Sequence, residues 1–261
     1  PDLPHPGRSG IRHIVVVMME NRSFDHFLGW LPGADGRQAG LSFRDRSGVA
    51  HPTHHLRDFA GCGFHDPDHS FDGGRIQLDH GRCDGWLRSG GSDLLAIGYY
   101  GRDDLGFLGR AAQDWTTFDR YFSSVMAPTY PNRLYLHAGR TDRLHNGTAR
   151  CTLPTIWDRL RSQGVSGAYY YGDVPFTALW HRRHLDISHH FAEFVADAAA
   201  GTLPAVSFVD PRFADELSGR SDDDHPHADI RAGEAFLDRV YDAVRNGPGW
   251  RRTVLVITYD E

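Results

Sequence analysis

The chain has 261 residues, 40% hydrophobic and 24% charged, which allows one large domain or two small ones and excludes global disorder. Arginine supplies all 28 basic charges against 34 acids, and the net charge of −6 argues against a general nucleic-acid binder. Protonating all 17 histidines would carry the charge to +11, so it can change sign between neutral and acid conditions.

The N-terminus, Pro1-Asp-Leu-Pro-His-Pro, lacks the basic start and apolar stretch of a leader, so a signal peptide is expected to be already removed or never present. Ile11-Arg-His-Ile-Val-Val-Val-Met-Met reads as a strand covered on both faces, as in a parallel sheet flanked by helices. Its apolar part, Ile14 to Met19, is the longest such run and far short of the roughly 18–20 residues of a membrane span. Glu20-Asn-Arg-Ser-Phe-Asp-His-Phe follows directly, where open α/β sheets place ligands. Residues 33 to 93 are rich in Gly, His, Asp and Arg without periodicity, and read as an irregular excursion capping a site. A helix is expected over Leu105 to Trp115, then a strand over Phe118-Asp-Arg-Tyr-Phe-Ser-Ser-Val. Pro131 suits the first turn of a helix through Leu134, Tyr135 and His137.

Further on, a helix over Thr155 to Gln163 precedes a strand from Ala168 to Tyr171. A helix over Phe191 to Ala199 precedes a strand in Leu203-Pro-Ala-Val-Ser-Phe-Val. Phe236, Val240 and Val244 recur at helical spacing within Ala232 to Arg245. Thr253-Val-Leu-Val-Ile-Thr-Tyr reads as another doubly buried strand, tipped by Asp260 and Glu261. The alternation predicts a single α/β domain over residues 1 to 261 with a mainly parallel sheet. Ending on a strand with acids at its tip suggests that the chain continues in the parent protein.

Glu20 and Asn21, Thr129, and Asp260 and Glu261 make an oxygen-rich set at strand ends, suited to one hard divalent cation. A metal would lower the pKa of the Thr129 hydroxyl and orient it as a nucleophile. Thr129 also lies just before a helix start, where free N–H groups favour an anion such as phosphate, with Asn132 and Arg133 close by. Acids at strand ends also serve as helix caps. Asn21-Arg-Ser23 matches a glycosylation sequon, but a residue leaving a buried strand is a poor acceptor.

His13-Ile-Val-Val-Val-Met-Met-Glu-Asn-Arg-Ser-Phe-Asp-His-Phe-Leu-Gly resembles the opening motif of the bacterial phosphoesterase family, which holds phospholipases C and acid phosphatases. Ala127-Pro-Thr-Tyr-Pro-Asn-Arg-Leu-Tyr is similar to its nucleophile motif, with Ala127 where Gly is usual. Leu203-Pro-Ala-Val-Ser-Phe-Val-Asp-Pro, Asp224-His-Pro and Trp250-Arg-Arg-Thr-Val-Leu-Val-Ile-Thr-Tyr-Asp-Glu follow in the expected order. The resemblance implies an alkaline-phosphatase-like sheet. It implies Glu20, Asn21, Thr129, Asp260 and Glu261 as ligands of a Ca, Mg, Mn or Zn ion, and Thr129 as nucleophile. The family's last motif continues into a Gly-Gly and Asp-His segment that is absent here, which implies an incomplete C-terminal wall.

His225 matches a family active-site histidine, with His69 and then His189 or His190 as further carry-overs. The implied reaction is in-line attack by Thr129 on a phosphate ester, Asn132, His190 and His225 meeting the phosphoryl charge, through a phosphothreonine intermediate. Phospholipase C and acid phosphatase are both compatible, as is an inactive fragment or phosphate-binding module. A sulfatase needs a modified Cys or Ser where Thr129 stands. The substrate is expected to be a phosphate ester, with a phospholipid at a membrane surface as one candidate, and the protein to be secreted, periplasmic or at the cell surface. Three cysteines without C-x-x-C spacing exclude a disulfide scaffold and a thiolate zinc site. In an exported enzyme a Cys62–Cys83 bridge is favoured over free thiols or a pairing with Cys151. Trp30, Trp86, Tyr99, Tyr100, Trp180 and Tyr169 to Tyr171 are read mostly as core, with a lipid-facing rim as the alternative.

Overall fold

In the computed structural model, which describes residues 5–214 and 220–261, the first apolar run forms β1 (His13–Met19). Pro1 to Pro4, part of the leader reading, lie outside the described residues. Ser23 caps α1 (Phe24–Leu28) by accepting the His26 N–H. The excursion holds β2 (Ser42–Arg44), β3 (Ala50–Pro52), β4 (His54–His55) and α2 (Phe71–Leu78), joined by irregular chain, and β5 (Gly98–Tyr99), just after it, pairs with β4. Then come α3 (Leu108–Asp114), α4 (Thr129–Ala138), α5 (Ile156–Ser162), β6 (Gly167–Tyr171), β7 (Ser188–His190) and α6 (Phe191–Ala200). The last elements are β8 (Val206–Asp210), α7 (Ile230–Asn246) and β9 (Thr253–Tyr259).

Five strands form the central sheet in the order β7-β6-β8-β1-β9, every pairing parallel. Because strand side chains alternate, the sheet builds a core on each face. Val15, Val17, Met19, Tyr170 and Val209 pack with Phe194 of α6 and Phe236, Leu237 and Val240 of α7. Tyr169 and Phe208 point the other way, against Leu134 of α4 and Trp157 of α5.

Several expectations are corrected. Phe118 to Val125 forms no strand: it has no ladder partner among the described residues, and Phe118, Tyr121 and Phe122 are 72, 70 and 78% exposed. Periodicity fits a strand, but a strand exists only where a neighbour takes its backbone hydrogen bonds. β9 is an edge strand, not a doubly buried one, and Val254 and Val256 are exposed. Likewise β1 is covered on both faces only toward its end, since Ile14 is exposed. α3 is shorter than expected, and α4 starts two residues before Pro131, after extended Pro128. Proline still sits in the first turn, where its missing N–H costs nothing. Cys62 and Cys83 are free and exposed and Cys151 is free and buried, so no bridge pins the excursion. Tyr100, Tyr169, Tyr170 and Trp180 are core, as read.

α4 also buries His137 among Trp157, Tyr169, Phe176, Trp180 and Phe208, with no hydrogen-bond partner for either ring nitrogen among the described residues. Burial, then the Arg133 charge, pushes its pKa down to about 3. The unfolded imidazole takes a proton below about 6.5 that the folded one refuses, so this contribution is complete above that pH and is lost as pH falls toward 3. Asp224 and Glu234, pushed up to about 7 chiefly by burial, act in the opposite direction. A comparison of variants isolates the histidine: between pH 7 and pH 5, His137→Leu should gain about 2 kcal/mol on the parent in urea melts. Parallel stability curves would remove this role.

Candidate active site

The parallel register sets Met19 beside Tyr259, so the residues after them, Glu20 and Asp260, leave the sheet side by side. The Asp260 N–H donates to the Met19 carbonyl and the Glu20 N–H to the Asp223 carbonyl, fixing both strand tips. α4 delivers its first residue to the same place. The Thr129 hydroxyl donates to Glu20 Oε2 at 3.1 Å and lies 3.4 Å from Glu261 Oε1. Ligand atoms of Glu20, Asp260 and Glu261 all lie within 4.8 Å of one another.

Arg133 stands one helical turn after Thr129 on the same face of α4. It is buried and touches Glu20 Oε1 at 2.7 Å, Asp210 Oδ1 at 2.9 Å and Asp260 Oδ2 at 3.3 Å. Asp210 closes the network through the Tyr169 hydroxyl. Burial opposes the charge on Arg133, but Asp210, Glu20 and Asp260 together outweigh it and raise its pKa well above the usual value. Burial, then the Glu20 charge, holds Asp260 well above the ordinary carboxylate range, and burial with Asp260 and Glu20 does the same to Glu261. Crowded carboxylates thus outnumber the arginine that meets them, and Glu261 Oε2 is buried without a partner among the described residues. That orphaned oxygen and the all-oxygen donor set fit a hard divalent cation held by Glu20, Asp260, Glu261 and Thr129.

Asn21 joins this group to a second one. Its backbone N–H donates to Asp260 Oδ1 at 3.2 Å, and its amide nitrogen lies 3.1 Å from His69 Nδ1, 3.4 Å from Asp66 Oδ1 and 3.5 Å from His225 Nε2. The His69 and His225 rings meet edge to face, 5.4 Å apart. A cavity of about 360 Å³ opens against Asp66, His69, Gly90 and Pro128, next to Thr129.

Three expected residues sit differently. Asn21, expected among the metal ligands, turns its amide to Asp66, His69 and His225. Asn132 is buried, its amide donating to the Ala127 carbonyl and accepting the Val125 N–H, so it braces the approach to Thr129. His190 ends the strand at the far edge of the sheet, three strands from β1 and so about 14 Å away. Its side chain meets Tyr171, and the neighbouring His189 pairs with Glu193. Asp66 and Asp210 are the participants that sequence reasoning did not place in the site, while Arg133, expected beside the phosphate, is turned to the carboxylates instead. Asp210 ends a strand as Asp260 does, and Arg133 follows Thr129 at helical spacing, so both carried a signal.

A parallel α/β sheet gathering carboxylates, an amide and a helix-start threonine at its strand tips defines a class of anion-handling, metal-competent sites. The chain belongs to the phosphoesterase family, which it matches over residues 11–261. It is similar to non-specific phospholipase C1 of Arabidopsis thaliana, at 32% identity across 99% of this chain and 54% of that protein. Non-specific phospholipase C6 of the same plant is 31% identical across 98% of this chain and 54% of its own length. Phospholipase C A of Mycobacterium tuberculosis is 27% identical across 99% of this chain and 59% of its own. The chain therefore spans about half the length of the curated relatives it matches.

Proposed function

We propose that this chain carries the catalytic core of a metal-dependent phosphoric-ester hydrolase of the phospholipase C type. The observation that carries the reading is the Thr129 hydroxyl, held between Glu20 and Glu261 at the start of α4 and beside the Asn21, His69 and His225 group. The names of the relatives support a phospholipid diester as substrate. No helix among the described residues is long and apolar enough to cross a membrane.

Glu20 accepts the Thr129 hydrogen and turns an oxygen lone pair toward the phosphorus. A divalent ion held by Glu20, Asp260, Glu261 and Thr129 would supply charge neutralisation and favour the alkoxide. Thr129 then attacks in line: the new bond runs from its oxygen to phosphorus, and the bond to the leaving alkoxide breaks. Asn21 donates to the phosphoryl oxygens while His225, aided by His69, gives the leaving oxygen its proton. In the second half a water attacks the phosphothreonine and the bond from phosphorus to the Thr129 oxygen breaks; His225 takes that water's proton, and Glu20 returns its proton to the Thr129 oxygen. Positioning and charge complementarity supply most of the rate.

Parallel assays on p-nitrophenyl phosphate, its phosphorylcholine diester and phosphatidylcholine vesicles test the reading. We expect diester hydrolysis that falls at least 100-fold after chelation and returns with a divalent cation. Turnover of the monoester alone would make the protein an acid phosphatase. No turnover of any ester with Ca, Mg, Mn or Zn supplied, despite phosphate binding, would leave a binding module.

A further inference from the structure

We propose that Arg22, Asp224 and Tyr259 form a buried brace that holds the His225 imidazole in its working position, so that Arg22 and Tyr259 are positioning residues for the reaction. The inference rests on the role given to His225 above.

Asp224 immediately precedes His225 and is fully buried in a left-handed backbone conformation, with φ of 75°. A residue with a side chain pays a steric penalty there and stays only where its surroundings hold it. Three elements do so. Arg22 Nε donates to the Asp224 carbonyl at 2.6 Å, and the Tyr259 hydroxyl donates to Asp224 Oδ2 at 2.7 Å. Gly233 of α7 supplies the space, because a Cβ there would lie 1.9 Å from Asp224 Oδ1.

The attachment points are what tie this brace to chemistry. Arg22 follows Asn21, Tyr259 precedes Asp260, and Asp224 precedes His225. One small network thus joins three segments that carry candidate active-site residues, and both of its hydrogen bonds end on the residue before His225. Arg22 is 5% exposed, and its charge is directed at a backbone carbonyl and at His26 Nε2, 2.9 Å away. Burying an arginine is costly, and neither contact is the ion pair that normally offsets that cost. A buried guanidinium gripping a carbonyl makes sense as a geometric fixture: its planar fork fixes the direction of each bond it makes. The adjoining turn is fastened as well, with Asp223 Oδ1 accepting the His225 N–H at 3.0 Å and the Ser221 hydroxyl at 2.8 Å. His225 is therefore presented by a fixed turn, with its Nε2 3.5 Å from the Asn21 amide and 4.0 Å from Asp66 Oδ2.

A double-mutant cycle in the intact, metal-supplied protein separates positioning from a merely structural part. Tyr259→Phe keeps the ring against Phe27 and removes the hydroxyl. It should lower kcat on the p-nitrophenyl diester about 10-fold with KM nearly unchanged. His225→Ala alone should lower kcat about 100-fold or more. Combined with His225→Ala, Tyr259→Phe should cost less than about twofold further, because the group it positions is gone. Arg22→Lys, which keeps a donor, should retain several-fold more activity than Arg22→Met at matched thermal midpoints. Full multiplication of the Tyr259 and His225 effects would overturn the brace while leaving the hydrolase reading intact. So would an unchanged kcat in Tyr259→Phe, or equal losses in the two Arg22 variants. A fully active His225→Ala would overturn both the brace and the role assigned to His225.

Discussion

Thr129→Ala is expected to lower turnover on the order of 10⁴-fold or more while the protein keeps its fold. The side chain is half-buried and its hydroxyl is held by Glu20, so the substitution removes one oxygen and leaves no large cavity. α4 does not depend on it either, because Pro128 starts the helix and Leu134 and Arg133 anchor it. Loss of activity with an unchanged melting curve therefore reports chemistry. Thr129→Ser should retain measurable turnover, since it keeps the nucleophilic oxygen and loses only a methyl group. Acid quenching during turnover should leave phosphate on the peptide that carries Thr129, and none in the alanine variant. An alanine variant that keeps most of its rate in a pure, metal-replete preparation would transfer the nucleophile's role to another group, such as a bound water.

Much of this arrangement follows from the sequence, and the reasons are particular. β1, β9 and α7 are strongly patterned, so their existence and type are legible even though the coverage of the two strands is not. The neighbourhood of Glu20 and Asp260 follows from two parallel strands ending in acids. The arrival of Asp66 and His69 does not, because they ride on an excursion with little periodicity, placed by isolated bonds such as Asp68 N–H to Ser92 Oγ. Phe118 to Val125 shows the converse failure, a strand-like pattern with no ladder partner among the described residues. Cys62 and Cys83 flank a site residue in sequence, but spacing carries no information on whether two thiols meet in space. The resemblance brings in His190, which precedes the Leu203 strand in sequence, but the order of strands in the sheet puts it at the wrong edge. Order within the sheet is the quantity that local pattern encodes least.

Arg133→Met should be the most damaging single substitution for stability. The guanidinium is 1% exposed and is shared among Glu20, Asp210 and Asp260, with Nη2 also donating to the Met18 carbonyl. Methionine fills a similar volume but leaves several buried carboxylates facing one another without a cation. Breaking a buried ion pair from one side typically costs about 3–5 kcal/mol, which for a chain of this size lowers the melting temperature by roughly 10 °C. Arg133→Lys should recover only part of this, because a point charge cannot meet three carboxylates placed around a planar fork. The loss should shrink when a divalent cation is added, since such an ion would neutralise Glu20 and Asp260 from the opposite side. Thermal melts of the parent and both variants, with and without the cation, read all of this together. A variant that melts with the parent would mean that the carboxylates are largely protonated in the folded protein. In that case the strand tips would hold no standing negative charge, and the argument for a cation there would fall with it.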